Sequence, residues 1–105
     1  MQPERPRARR YSFVADIQLT DVQSDATIHE QTSDLSLFGC HIHTLKPLAV
    51  GTKVRIRIAH RGALFAALGR VANVRPDGSM GVIFTRIEQN DQLTLEKWIN
   101  ELREQ

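Results

Sequence analysis

The stretch TKVRIRIAH, residues 52–60, sends Val54, Ile56 and Ile58 to one side and Lys53, Arg55 and Arg57 to the other. That period of two belongs to a β-strand with one buried and one wet face. YSFVADIQL repeats it with Tyr11, Phe13, Ala15, Ile17 and Leu19 as the apolar set, broken only by Val14. CHIHTL shows it again, and ATIHEQTS is a weaker, more exposed strand. A chain with this many short alternating segments buries its apolar faces against one another, which points to a mainly β domain.

The run ALFAALGRVANV is rich in alanine and leucine. Gly69 inside it weakens a helix, and Asp77-Gly78 then offers a tight turn before the β-rich MGVIF. A strand is therefore expected there. The last segment changes period: Leu95, Trp98, Ile99 and Leu102 recur at helical spacing, with Glu96, Lys97, Glu101 and Arg103 opposite. A C-terminal helix over about 90–104 is expected, capped by Asn90 or Asp91 and anchored by Trp98 on the sheet. The result is about six strands forming an antiparallel barrel or closed sheet, with one α-helix packed on it. At 105 residues this is a single domain with room for a core.

Composition excludes several classes. With 41% hydrophobic and 25% charged residues, the chain reads as a globular protein, without an apolar run of the roughly 20 residues a membrane span needs and with no secretory signal. A cytoplasmic setting is expected. The one cysteine, Cys40, reads as a small buried strand residue. No nucleophile elbow, zinc-protease motif or phosphate loop is present, so no catalytic residue is assigned and no enzyme is expected. His41 and His43 share a strand face but lack a third ligand, so no metal site is assigned.

Two features remain. Residues 1–10 form a basic arm, with Arg5, Arg7, Arg9 and Arg10 against Glu4 and with two prolines that disfavour a helix; the domain proper runs from 11 to 105. The second feature is the cluster SDLSLFG, where Asp34, Ser36 and Gly39 crowd short polar groups and a bare backbone before a strand. Taken alone, Asp34 and Ser36 can be turn-formers and Gly39 a bulge.

Arg5 and Arg9 give the spacing R-x-x-x-R ahead of the first strand, and Asp34, Ser36 and Gly39 match D/N-x-S-x-x-G. In this the chain resembles the PilZ domain, the bacterial receptor module for cyclic di-GMP, over nearly its whole length, including GRVANVRPDGSMGVIF. The resemblance implies a six-stranded antiparallel β-barrel that binds the dinucleotide on its outer face through Arg5, Arg9, Arg10, Asp34, Ser36 and Gly39. Arg7, Phe38 and Arg70 are auxiliary candidates, Phe38 either narrowing the pocket or adding a stacking surface. The chemistry suits such a ligand. Arginine forks onto a phosphate or onto guanine O6 and N7, the Asp34 carboxylate accepts from guanine N1–H and N2–H₂, and the Ser36 hydroxyl both donates and accepts. Gly39 permits close backbone approach or a positive φ. Cyclic di-GMP is then the ligand, no other cofactor is implied, and the arm folds over the barrel when it binds. The partner is a protein effector, with motility, adhesion or exopolysaccharide machinery as candidates. Rival readings are a nucleic-acid-binding barrel, in which Arg55, Arg57 and Arg70 track phosphates, and a protein-only adaptor of the same fold.

Overall fold

The computed structural model describes residues 9–105. Seven strands and one helix follow in order: β1 Tyr11–Ser12, β2 Asp16–Asp21, β3 Thr27–Leu35, β4 Gly39–His43, β5 Lys53–His60, β6 Ala63–Val74, β7 Ser79–Arg86 and α1 Gln89–Arg103. Neighbours run β1-β3-β2-β5-β6-β7-β4, all antiparallel, and β3 also pairs with β4. That last pairing closes β2–β7 into the expected six-stranded barrel, and closure removes the sheet edges that would otherwise be open to other chains. β1 is an extra strand laid along β3.

The alternation predicted for β5 holds: Val54, Ile56 and Ile58 are buried, while Lys53, Arg55 and Arg57 are exposed. They meet Ile17, Leu19, Leu35, Ile42, Phe65, Val71, Met80 and Val82 in one core. The alanine-rich run is a strand, β6, in continuous register with β5 from Lys53↔Arg70 to His60↔Ala63. At its end Arg75–Gly78 turns back into β7. Gly78 has φ +91°, and Asp77 Oδ1 accepts from the Ser79 N–H at 2.9 Å and the Ser79 hydroxyl at 2.7 Å. Those bonds hold the Asp77 carboxyl below the usual carboxylate range.

Two local expectations are corrected. YSFVADIQL is not one strand, because the chain leaves the β1 ladder at Phe13 and enters β2 only at Asp16. Buried Thr32 holds the crossing: its hydroxyl accepts from the Ala15 N–H at 3.0 Å and donates to the Phe13 carbonyl, and its own N–H donates to the Ala15 carbonyl at 2.9 Å. Val14, the break in the pattern, faces outward. The second correction concerns α1, which starts at Gln89 with Glu88 as N-cap and no side-chain cap. Asn90 and Asp91 fall inside its first turn. Asp91 instead accepts the Ala66 N–H at 2.9 Å, fastening the helix to β6.

Trp98 anchors the helix as expected. Its ring lies 5.6 Å from Phe13, 5.5 Å from His60 and 6.2 Å from Phe65, centroid to centroid, at the barrel end where β5 finishes and β6 begins. Leu95 and Ile99 are buried beside it.

Cys40 is buried in β4, and desolvation, helped by the nearby Asp34 charge, pushes its thiol up from 9.0 to about 12. The folded state therefore keeps the thiol neutral while the unfolded chain ionises, so stability is lost as pH rises from 9 toward 12. The loss approaches about 1.4 kcal/mol for each pH unit above the unfolded value. Urea unfolding at pH 8 and pH 10 is expected to show a fall in wild type about 1.4 kcal/mol larger than in Cys40→Ala; parallel falls in the two proteins would contradict this account.

Candidate functional site

The cluster SDLSLFG folds as the β3–β4 hairpin. The Ser36 N–H donates to the Gly39 carbonyl at 2.8 Å. The Ser36 hydroxyl accepts from the Phe38 and Gly39 N–H groups at 3.1 and 3.2 Å and donates to the Gly39 carbonyl at 3.4 Å. In this geometry its donor and both lone pairs serve the turn itself. Gly39 does not carry a positive φ. A Cβ there would stand 2.2 Å from the Val82 carbonyl oxygen, so the close approach it permits is that of β4 to β7. Phe38 sits at the tip, 57% exposed.

A four-residue turn fixes what faces what. Leu35 opposes Cys40 and Asp34 opposes His41, while Asp34 also opposes Ser12 of β1. Asp34 Oδ1 accepts from His41 Nδ1 at 3.0 Å, both side chains being mostly buried. Arg10, immediately before β1, places Nη1 at 3.1 Å from His41 Nε2 and 3.2 Å from Nδ1. The guanidinium nitrogen is about equally near both ring nitrogens, and which of them accepts is set by the tautomer. The end of the arm and the turn motif, separate in sequence, are thus joined through His41.

Of the other assigned residues, Arg9 turns away and lies over the Tyr11 ring, 5.4 Å from its centroid. Arg5 and Arg7 lie outside the described residues. Arg70 is exposed on β6, between Lys53 and Ile83; Ile83 in turn opposes Gly39. It therefore shares the outer wall with the turn, two strand spacings or about 10 Å from Gly39.

Sequence reasoning missed two residues of this wall. His41 was considered only as a metal ligand with His43; among the described residues no three His, Cys, Asp or Glu side chains gather to hold a metal. Asn73 was not singled out. Register aligns Asp34, His41, Gly81 and Asn73 across β3, β4, β7 and β6. The Asn73 carboxamide covers Gly81, 2.9 Å from where a Cβ would be. The row spans three strand spacings, about 14 Å, and presents a carboxylate, an imidazole, bare backbone and an amide on one surface. Of the exposed cations on β5–β7, Arg70 and its partner Lys53 come nearest the row, three residues along β6 from Asn73; Arg55, Arg57 and Arg86 lie further along the strands, Arg55 pairing with Asp25 at 3.9 Å and Arg86 with Glu88 at 3.5 Å.

Comparison with known proteins agrees with this architecture. A search of curated proteins by sequence finds no match. Among solved structures, the chain is similar to the PilZ domain of CeSA from a cellulose-synthesising bacterium, with TM-score 0.72, 17% identity, 91% of this chain and 99% of that one covered. It is also similar to the PilZ domain of Escherichia coli YcgR solved with c-di-GMP, with TM-score 0.74, 19% identity, 96% and 93% covered. A third is the Bacillus subtilis inhibitor of motility MotI/DgrA, with TM-score 0.73 and 17% identity; 98% of this chain is covered, but only 54% of that longer chain. At such identities these likenesses show a shared fold. The family profile described as the PilZ domain matches residues 4–101, nearly the whole chain, and the protein belongs to the PilZ domain family.

Proposed function

We propose that this protein is a cyclic di-GMP receptor with no catalytic step of its own. The observation that carries the reading is the contact of Arg10 with His41 and of His41 with Asp34, which brings an arm cation and a carboxylate acceptor to one point on the barrel wall. The ligand's two phosphates and two guanines call for this pairing. The carboxylate receives guanine N1–H and N2–H₂, and guanidinium groups fork onto phosphate or onto O6 and N7. Arg10 is the arginine next to the turn, with Arg5, Arg7 and Arg9 supplying further cations from residues 1–10 and Arg70 from the wall. Ser36 and Gly39 serve by shaping the hairpin that presents Asp34.

On binding, the arm closes over the ligand and creates a surface that a protein effector reads. Ordering a segment of this kind consumes about 2–5 kcal/mol, so micromolar affinity, about −8 kcal/mol, asks for several charge-assisted bonds. A motility, adhesion or exopolysaccharide component is the class of effector this reading favours, acting in the cytoplasm; among the described residues no helix is long and apolar enough to cross a membrane. A nucleic-acid barrel is less well supported, because such surfaces stack bases on exposed aromatics, and here Phe38 is the one aromatic more than half exposed among the described residues while Phe13, Phe65 and Trp98 are buried.

Calorimetric titration with cyclic di-GMP, GTP and a short single-stranded oligonucleotide tests the proposal. Saturable heat with the cyclic dinucleotide alone is expected. Absence of heat up to about 1 mM, near −4 kcal/mol, would overturn it, and salt-sensitive oligonucleotide binding would put the nucleic-acid barrel in its place.

A further inference from the structure

Resting on the receptor reading above, we propose that His41 is a positioning residue that sets the site's preference for guanine over adenine. A carboxylate rotates freely about its terminal torsion unless something holds it. Here the His41 Nδ1–H holds one oxygen of Asp34 from the facing strand, at 3.0 Å. That oxygen keeps another lone pair and the second oxygen keeps both, so the carboxyl plane is set and still has acceptors to offer. Guanine presents two parallel donors, N1–H and N2–H₂, which match a carboxylate held in this way. Adenine presents a donor beside the bare N1 lone pair, which the same carboxylate repels. The ratio of affinities for the two bases therefore reports the orientation of Asp34.

The other ring nitrogen has its own task. Arg10 Nη1 stands 3.1 Å from Nε2 and 3.2 Å from Nδ1, which keeps the cation beside the carboxylate; with the proton on Nδ1, the lone pair it meets is that of Nε2, and among the described residues its other N–H groups make no hydrogen bond. Only a neutral imidazole with its proton on Nδ1 does both, donating to an acid on one side and accepting from a cation on the other. A cationic side chain at this position would repel Arg10, and an aliphatic one would leave both Asp34 and Arg10 unheld.

The test compares wild type with His41→Asn, His41→Gln and His41→Leu, each titrated with cyclic di-GMP and cyclic di-AMP after a thermal melt shows the fold intact. Asparagine places an amide donor near the Nδ1 position and nothing near Nε2. It should keep the guanine preference and lie within about threefold of wild-type affinity. Leucine should lose about tenfold for cyclic di-GMP, the worth of one hydrogen bond to a charged group, with much less change for cyclic di-AMP, so the ratio narrows. Glutamine, whose amide reaches past Nδ1, should behave like leucine and replaces it if leucine does not fold. A long-range proton–nitrogen spectrum of the free protein should show His41 protonated on Nδ1, and Asp34→Ala should change that state. Wild-type affinities and ratio in the leucine variant would overturn the inference while leaving the receptor reading intact, as would protonation on Nε2. A wild type that binds neither dinucleotide would overturn the receptor reading, and the proposed role of His41 with it.

Discussion

Gly39→Ala is expected to destabilise the protein by about 3 kcal/mol or more, read as a lowered urea midpoint with unchanged slope. The added methyl would sit 2.2 Å from the Val82 carbonyl oxygen and 3.1 Å from Ile83 Cα. Neither atom can swing aside, because both belong to the backbone of β7, which is bonded to β4 from Gly39↔Ile83 to His43↔Ser79. Relief requires the strands to part at the hairpin, where the Phe84 N–H donates to the Phe38 carbonyl at 2.8 Å and Ser36 ties the turn. Gly62→Ala supplies the control: φ there is +79°, but nothing lies within 4 Å. It should cost only the about 1–2 kcal/mol of the left-handed backbone. A Gly39→Ala protein as stable as wild type but unable to bind cyclic di-GMP would mean that the glycine is kept clear for ligand, as the motif first suggested, and not for β7.

How far the fold was legible follows from which interactions are local. Alternation is a property of a strand and its own two faces, so β5 and the barrel class could be read from residues 52–60 and their counterparts. Asp77-Gly78 identified the β6–β7 turn because a turn's chemistry lies within it. The break between β1 and β2 was hidden, since Thr32, which holds it, is 17 positions from Ala15. Asp91 looked like a cap for the same reason: its true partner, the Ala66 N–H, is 25 residues away.

The site divides along the same line. Asp34 and Ser36 were visible as a motif, and the hydroxyl's commitment to its own turn is the reading the cluster gives when taken alone, ranked behind a ligand role only once the arm is considered with it. The pairing of Asp34 with His41 was within reach, because a hairpin closing Leu35 on Cys40 places residue 34 against 41. Asn73 was not, since its place beside Gly81 depends on the register shift between Val71 and Asn73. The arm's register was likewise undecidable from spacing: strict R-x-x-x-R selects Arg9, whereas the geometry brings Arg10 to His41.

Asp34→Ala is expected to weaken cyclic di-GMP binding by about 30- to 100-fold while moving stability by only about 0.5–1 kcal/mol. Among the described residues the carboxylate makes one protein bond, to a side chain that water can partly reach, so the folded state loses little. On the proposed receptor reading it accepts two donors from guanine, and its removal would leave them unpaired, worth about 2–3 kcal/mol for bonds to a charged group. His41 is released at the same time, and with it Arg10, so Arg10→Ala added to Asp34→Ala should cost less than it does in wild type. The two side chains also differ in salt dependence. Loss of Arg10, if it contacts phosphate, lowers the dependence of affinity on salt by about one charge, whereas loss of Asp34 leaves that slope in place. Asp34→Asn keeps one acceptor oxygen and turns the other into a donor facing guanine N–H, so it should fall between wild type and alanine. Wild-type affinity in Asp34→Ala, with the fold intact, would remove the turn from the binding site and leave the arginines alone to account for any affinity observed.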